Sequence, residues 1–248
     1  MAKNPDGPSV GGMRSDNPVA IITGASRGLG LALTAGLAGA GWRLVVDARG
    51  AADLTAAIAE LGAGDRVVAI PGDVTDAAHR RALIEAADRL GGPDLLVNNA
   101  GILGPSPLPS LADHPLDAFR EVHEVNVVAP LALIQLALPA LRSRDGAIVT
   151  VTSDAAVEAY PGWGGYASAK AAAEQVTSVL SVEEPTLRVW SVDPGDLRTR
   201  MHQEAFPGTD ISDRPLPETV VPAFLKLLAD APPSGRFRLA DLLTGASR

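Results

Sequence analysis

The chain contains no cysteine. That excludes disulfides, thiolate metal sites and cysteine nucleophiles together, and it fits a reducing compartment such as the cytoplasm. Basic residues are the minority, 21 Lys plus Arg against 29 Asp plus Glu for a net charge of −8, so nucleic acid is not an expected partner. Aromatics make up 4%, with two tyrosines, and lysine occurs only at Lys3, Lys170 and Lys226. No apolar run is read as reaching the roughly 18 residues of a membrane span, so no membrane is expected either. The four histidines, His79, His114, His123 and His202, are scattered. His123-Glu124 has no second histidine at zinc-protease spacing, so no metal is expected.

What is present is the composition of a globular protein, 46% hydrophobic and 20% charged over 248 residues, a length that suits one domain. Residues 1–17 are polar and rich in Gly and Pro and lack a signal-type apolar stretch, so they are expected to be a flexible tail, with the domain covering 18–248. Short β-branched runs at 19–23, 43–46, 66–70, 95–98, 147–152 and 187–192 alternate with Ala/Leu-rich stretches at 29–40, 51–61, 77–90, 116–141 and 166–182. Strands that are apolar on both faces, each followed by a helix, predict a doubly wound, mostly parallel α/β sheet of Rossmann type with right-handed crossovers. Beyond Pro194 the periodicity fades, and residues 201–217 are expected to form an irregular lid over a substrate site. A helix at 218–229 and a last strand at 236–240 close the fold.

Two patterns carry chemistry. The first expected strand runs into Thr23-Gly24-Ala25-Ser26-Arg27-Gly28-Leu29-Gly30 and then a helix. Glycines let the backbone approach a pyrophosphate, and the helix N-terminus offers free amides and partial positive charge. The second is Tyr166 followed four residues later by Lys170. With so few of either residue, this spacing arises by chance in roughly 2% of chains of this length. Four residues apart on a helix, phenol and ammonium share one face. Bringing a phenol from about 10 to about 7 needs roughly 4 kcal/mol. A cation about 4 Å away, at an effective dielectric of about 20, supplies that much. The pair is sufficient for general acid/base work near neutrality.

These residues resemble the short-chain dehydrogenase/reductase family, in its single-domain branch, over most of the chain from Val19 to about Thr199. The spacing of Gly24, Gly28 and Gly30 is similar to that branch, Asp73-Val74 to its adenine-contacting pair, and Asn99-Ala100-Gly101 to the segment lining its cofactor cleft. Asn126, Ser153, Tyr166 and Lys170 resemble its catalytic tetrad, and Pro194-Gly195 with Thr199 its nicotinamide loop. The resemblance implies hydride transfer between NAD(P) and a carbonyl or secondary alcohol. Tyr166 would be the general acid/base, Lys170 would lower its pKa and hold the ribose, Ser153 would bind the substrate oxygen, and Asn126 would support a water relay. Ser26, Arg27 and Leu29 complete the implied dinucleotide loop.

The second expected strand ends Asp47-Ala48-Arg49. Arg49 matches the arginine that receives the extra phosphate of NADP, and Arg27 is a second such position, so NADP(H) is favoured. Shifting the alignment by one residue makes Asp47 a ribose ligand, which leaves NAD(H) possible. Trp163, Tyr160, Met201, His202 and Phe206 are expected to wall a small-molecule carbonyl or alcohol site. A homodimer or homotetramer through the long 116–141 helix and the Tyr-Lys helix is implied by the resemblance. Two other classes stay open, a non-catalytic NAD(P)-binding sensor or scaffold and a redox-neutral epimerase or dehydratase.

Overall fold

Each apolar run becomes a strand because its alternate residues are buried on opposite sides. In chain order the elements are β1 (Val19–Ile22), α1 (Gly28–Gly39), β2 (Arg43–Ala48), α2 (Ala51–Leu61), β3 (Val67–Pro71), α3 (Ala77–Arg89) and β4 (Leu95–Asn98). They continue with α4 (Leu116–His123), α5 (Ala129–Ser143), β5 (Ala147–Val151), α6 (Gly164–Glu183), β6 (Arg188–Asp193) and α7 (Arg200–Ala205). The last are α8 (Val221–Asp230), β7 (Gly235–Arg238) and α9 (Leu239–Thr244). This computed structural model describes residues 17–244, so the expected tail lies outside the described residues except for Asn17.

All seven strands pair in parallel, in the order β3-β2-β1-β4-β5-β6-β7. Ala20, Ile22, Leu44, Val46, Leu95 and Val97 face one layer, built from α1 and α8 with Leu33, Leu37, Phe224 and Leu227. Val19, Ile21, Val45, Leu96 and Ile148 face the other, with Leu83 of α3, Leu133, Ala137 and Leu141 of α5 and Leu180 of α6. Each fully buried Leu, Ile or Val contributes about 1.5–3 kcal/mol over its exposed state. Because β1 is flanked by β2 and β4, the strand order reverses there. The crevice this opens at the carboxyl edge is where such sheets bind ligands.

Four expectations shift in detail. The helix expected over 116–141 is two helices joined through a π-helical turn, Glu124–Val128, which carries Asn126. This segment, Leu116–Ser143, does meet the length and apolarity of a membrane span, with a mean hydropathy of 1.6, contrary to the sequence reading. Leu133, Ile134, Ala137 and Leu141 are instead committed to the core beneath the sheet. The region 201–217 is partly ordered as α7, capped by the Thr199 hydroxyl, which accepts the His202 amide at 3.2 Å. The last strand stops at Arg238, since Leu239 already begins α9 and turns its side chain into the core.

Candidate active site

One cavity of about 730 Å³ runs along the carboxyl edge of the sheet from the β1–α1 turn to α6. At its first end the turn is braced from below. The Thr23 hydroxyl accepts the amides of Asn99 (3.1 Å) and Ala100 (3.0 Å), and the Asn99 amide group donates to Thr23 O at 2.7 Å. The glycines are required by close approach. A Cβ on Gly24, at φ 73°, would lie 2.9 Å from Ala100 Cα, and one on Gly30 would lie 2.2 Å from Gly24 O. Gly28, at φ 56°, faces the cavity opposite Thr199. Arg27, the N-cap of α1, makes no side-chain cap, so the first-turn amides are left for a ligand.

Asp47 is fully buried and already spoken for. Its Oδ1 accepts the Gly24 amide at 2.8 Å, its Oδ2 lies 2.9 Å from His79 Nε2, and its main-chain oxygen accepts the Ala25 amide at 2.7 Å. The carboxylate is thus a brace for the glycine turn. Arg27 and Arg49 are exposed and line the same end of the cavity. Asp73 faces them: burial pushes its carboxyl up, but hydrogen bonds from Thr75 and the charges of Arg49 and His79 outweigh this and hold it below its usual range.

At the other end, α6 presents Tyr166 and Lys170, both buried, with Nζ 5.5 Å from the phenol ring centre. Nζ donates to Val151 O at 2.8 Å. Ser153, just past β5, donates its hydroxyl to Asp154 Oδ1 at 2.9 Å. Asn126 lies behind the wall: its Oδ1 accepts the Ile102 amide and its Nδ2 donates to Ile102 O, each at 2.9 Å. Each polar atom of that side chain thus makes one bond that positions the 99–102 segment. Pro194, Gly195 and Thr199 close the cavity opposite Tyr166, while Trp163, Met201 and His202 wall its outer part. Phe206 and Tyr160 stand behind Trp163, with ring centres 5.9 and 6.3 Å from it.

The profile of the short chain dehydrogenase family matches residues 18–210. This chain belongs to that family. Among curated relatives, protein FixR of Bradyrhizobium diazoefficiens is 34% identical over 250 residues, covering 94% of this chain and 85% of FixR. Sepiapterin reductase of Rattus norvegicus is 35% identical over 201 residues, covering 75% and 77%. Among solved structures, an alcohol dehydrogenase from Thermococcus sibiricus complexed with 5-hydroxy-NADP has a TM-score of 0.80 at 29% identity, covering 90% and 96%. A short chain dehydrogenase from Shigella flexneri complexed with NADP has a TM-score of 0.83 at 26% identity, covering 90% and 97%. The chain is an oxidoreductase of the short-chain type.

In this short-chain dehydrogenase the electrostatics at α6 differ from the expectation raised by the Tyr-Lys spacing. Burial, then the charges of Asp154 and Asp193, push the Tyr166 phenol up, so the protein alone keeps it protonated. Burial also lowers Lys170, to about 8. Tyr160 is no rival, since its hydroxyl bonds to Asp154 (3.0 Å) and Glu158 (2.8 Å), which hold it protonated.

The glycine-loop residues, Arg49, Asp73, Val74, Asn99, Ala100 and Gly101 all line the one cavity with Ser153, Tyr166 and Lys170. Four side chains escaped the sequence reading: Asp154 beside Ser153, His79 on Asp47, and the Asp193–Arg236 pair. Only Asp154 carried a local signal, its adjacency to Ser153.

Proposed function

We propose that this oxidoreductase transfers a hydride between NADP(H) and a carbonyl or secondary alcohol, with Tyr166 as the general acid/base. The observation that carries the reading is that the buried Tyr166–Lys170 pair opens onto the same cavity as the glycine loop. The residues fit a dinucleotide. The turn is stripped of Cβ atoms where a pyrophosphate would lie, the α1 amides are uncapped, and Arg27 and Arg49 stand at the adenosine end. With both Asp47 oxygens occupied, the site offers a 2′-phosphate two cations and offers a ribose diol no free carboxylate at that position. The NADP complexes of the structural relatives point the same way.

A bound nicotinamide supplies or accepts the hydride. The remaining work belongs to the chain. Ser153 turns its hydroxyl from Asp154 to the substrate oxygen. Tyr166, held as a neutral phenol, donates its proton to that oxygen in the reductive direction and recovers it in the oxidative one. Lys170, protonated below about pH 8, stabilises the phenolate left behind. Asn126 and Gly101 hold the wall against Lys170, since a Cβ at Gly101 would lie 3.0 Å from Asn126 Oδ1 and 3.8 Å from Nζ. Trp163, Met201 and His202 suit a medium-sized apolar or aromatic substrate. The cysteine-free sequence suits the cytoplasm, and exposed Val128 at the end of the π turn, Leu136 on α5 and Val179 and Val182 on α6 suit a homo-oligomer.

The test is a panel of ketones, aldehydes and secondary alcohols, followed by the absorbance of reduced nicotinamide with NADPH, NADH, NADP and NAD. Consumption of NADPH stoichiometric with a carbonyl is the expected result. Product formed with no net change in absorbance would establish a redox-neutral enzyme instead. Tight dinucleotide binding with no turnover across the panel would establish a sensor.

A further inference from the structure

The last strand carries a charge pattern that the reaction scheme has not used. Alternation along β7 sends Phe237 to the α1/α8 core and turns Arg236 and Arg238 to the opposite face, under α6. In register, Arg236 lies beside Ser191 and Arg238 beside Asp193. Arg236 Nη2 donates to Asp193 Oδ2 at 3.1 Å and to the main-chain oxygen of Ser153 at 3.3 Å. Its Nε lies 2.9 Å from Glu174 Oε1, in an ion pair.

Each partner leads to a different part of the site. Glu174, one turn beyond Lys170 on α6, accepts the Thr152 hydroxyl at 2.8 Å. Asp193, 2% exposed, accepts the Gly195 amide at 2.9 Å and so fixes the turn after β6. One guanidinium therefore joins the ends of β5 and β6 to the helix that bears Tyr166. A planar fork with several fixed donors can do this, whereas a single ammonium cannot.

We propose that Arg236 is a positioning residue for the reaction: it ties the Ser153 main chain to the Gly195 turn and masks the Asp193 carboxylate from the Tyr166 phenol. This rests on the reading of Tyr166 as proton donor given above. The charged and titratable groups around the phenol are Lys170 on its own helix, Asp154 after β5, Asp193 on β6, Arg236 and Arg238 on β7, and His202 on α7. Of these, Asp154 and Asp193 favour the protonated phenol. Arg236 is the closer of the two arginines to Asp193, at 3.1 Å against 3.7 Å for Arg238. Its removal exposes the phenol to more of the carboxylate charge.

The experiment is the pH dependence of kcat for the full chain, with NADPH and the best carbonyl from the panel. Variants are Arg236→Met, Arg236→Lys, Asp193→Asn and Tyr166→Phe. Arg236→Met is expected to lower kcat about 10- to 100-fold through misplacement of Ser153. It is also expected to raise the pH of the phenol ionisation by about one unit. Arg236→Lys restores the ionisation but not the rate. Asp193→Asn keeps an acceptor for the Gly195 amide, drops the charge, and moves the ionisation down. An Arg236→Met enzyme with unchanged kcat and unchanged profile overturns the proposal. So does an unmoved ionisation in Asp193→Asn, which decides alone should Arg236→Met fail to fold. Full turnover in Tyr166→Phe defeats the reading of Tyr166 instead, and leaves the Ser153 tether to be judged by the kcat of Arg236→Met.

Discussion

Around the glycine loop the buried charge of Asp47 is matched, whereas on α6 the buried charge of Lys170 meets only a main-chain oxygen. Asp47 meets His79 and the Gly24 amide, so the turn under the phosphate end rests on a satisfied pair. Lys170, by contrast, is buried against a carbonyl oxygen, and the charges of Asp154 and Asp193 act on the buried Tyr166 phenol. The first arrangement yields a braced cradle. The second shifts both groups toward their neutral forms, and such perturbed ionisation is usual for residues that move protons. On the proposed reading, positioning and reactivity are thus built at opposite ends of one cleft, by opposite electrostatic means.

The sharpest way to break this contrast is Tyr166→Phe, which removes one hydroxyl from the unmatched end. Turnover should fall about 10³-fold, within the range for loss of a positioned acid/base, while NADPH affinity measured by fluorescence titration stays put. Turnover at the original rate would move the proton donor elsewhere. A parallel loss of dinucleotide affinity would mean that the two ends are not separable.

Lys170→Met tests the same end through stability. The folded-state pKa, about 8, lies below the ordinary 10.5, so at neutral pH the native fold bears the cost of a buried cation. That difference corresponds to about 3 kcal/mol as an upper-end figure. Met at this position should therefore raise Tm at pH 7 while cutting turnover about 10²-fold. The unfolded chain binds the extra proton between about 8 and 10.5, so wild type regains stability as pH rises through that window. The gap in Tm between the two should close there. A gap that is constant with pH would show that the ammonium is not the source of the cost.

At the matched end, Arg49→Ala asks which dinucleotide the cradle receives. Losing a charge-assisted contact to a phosphate should weaken NADPH about 10- to 100-fold and leave NADH unchanged. Equal loss for both would make Arg49 a general surface charge.

What was legible in the sequence follows the range of the forces involved. Val19–Ile22 and Leu95–Asn98 read as strands because both faces are buried and every residue is committed to burial. Gly24 and Gly30 read as a cradle because their spacing is a local pattern, although what a Cβ on Gly24 would meet, Ala100 and Asn99, lies far along the chain. Tyr166 and Lys170 stood out because four residues on a helix is a local distance. Arg236 and Asp193 are 43 residues apart, and His79 and Asp47 are 32 apart, and each pair meets only through the order of the strands. No local pattern announces them. The π turn at Asn126 was hidden for a related reason, since Glu124–Val128 keeps the apolar periodicity of the helices around it. A last strand is expected over Arg236–Ala240, but the core beneath α9 claims Leu239.

The smallest effect expected comes from His79→Leu, which unmatches the matched end. Leucine fills the volume of the imidazole against Gly72, whose Cβ, if present, would lie 2.2 Å from His79 Nδ1. It leaves Asp47 Oδ2 buried without a donor, at a cost of about 1–3 kcal/mol. The carboxylate also carries the Gly24 amide, so its reorientation loosens the turn rather than the catalytic pair. NADPH and NADH should therefore both weaken, by about fivefold, a loss of about 1 kcal/mol, with kcat at saturating dinucleotide retained. His79→Gln, which keeps a donor, should restore most of the affinity. A fall in kcat with unaltered affinity would show that His79 reaches the chemistry, and the division between a cradle end and a reactive end would no longer stand.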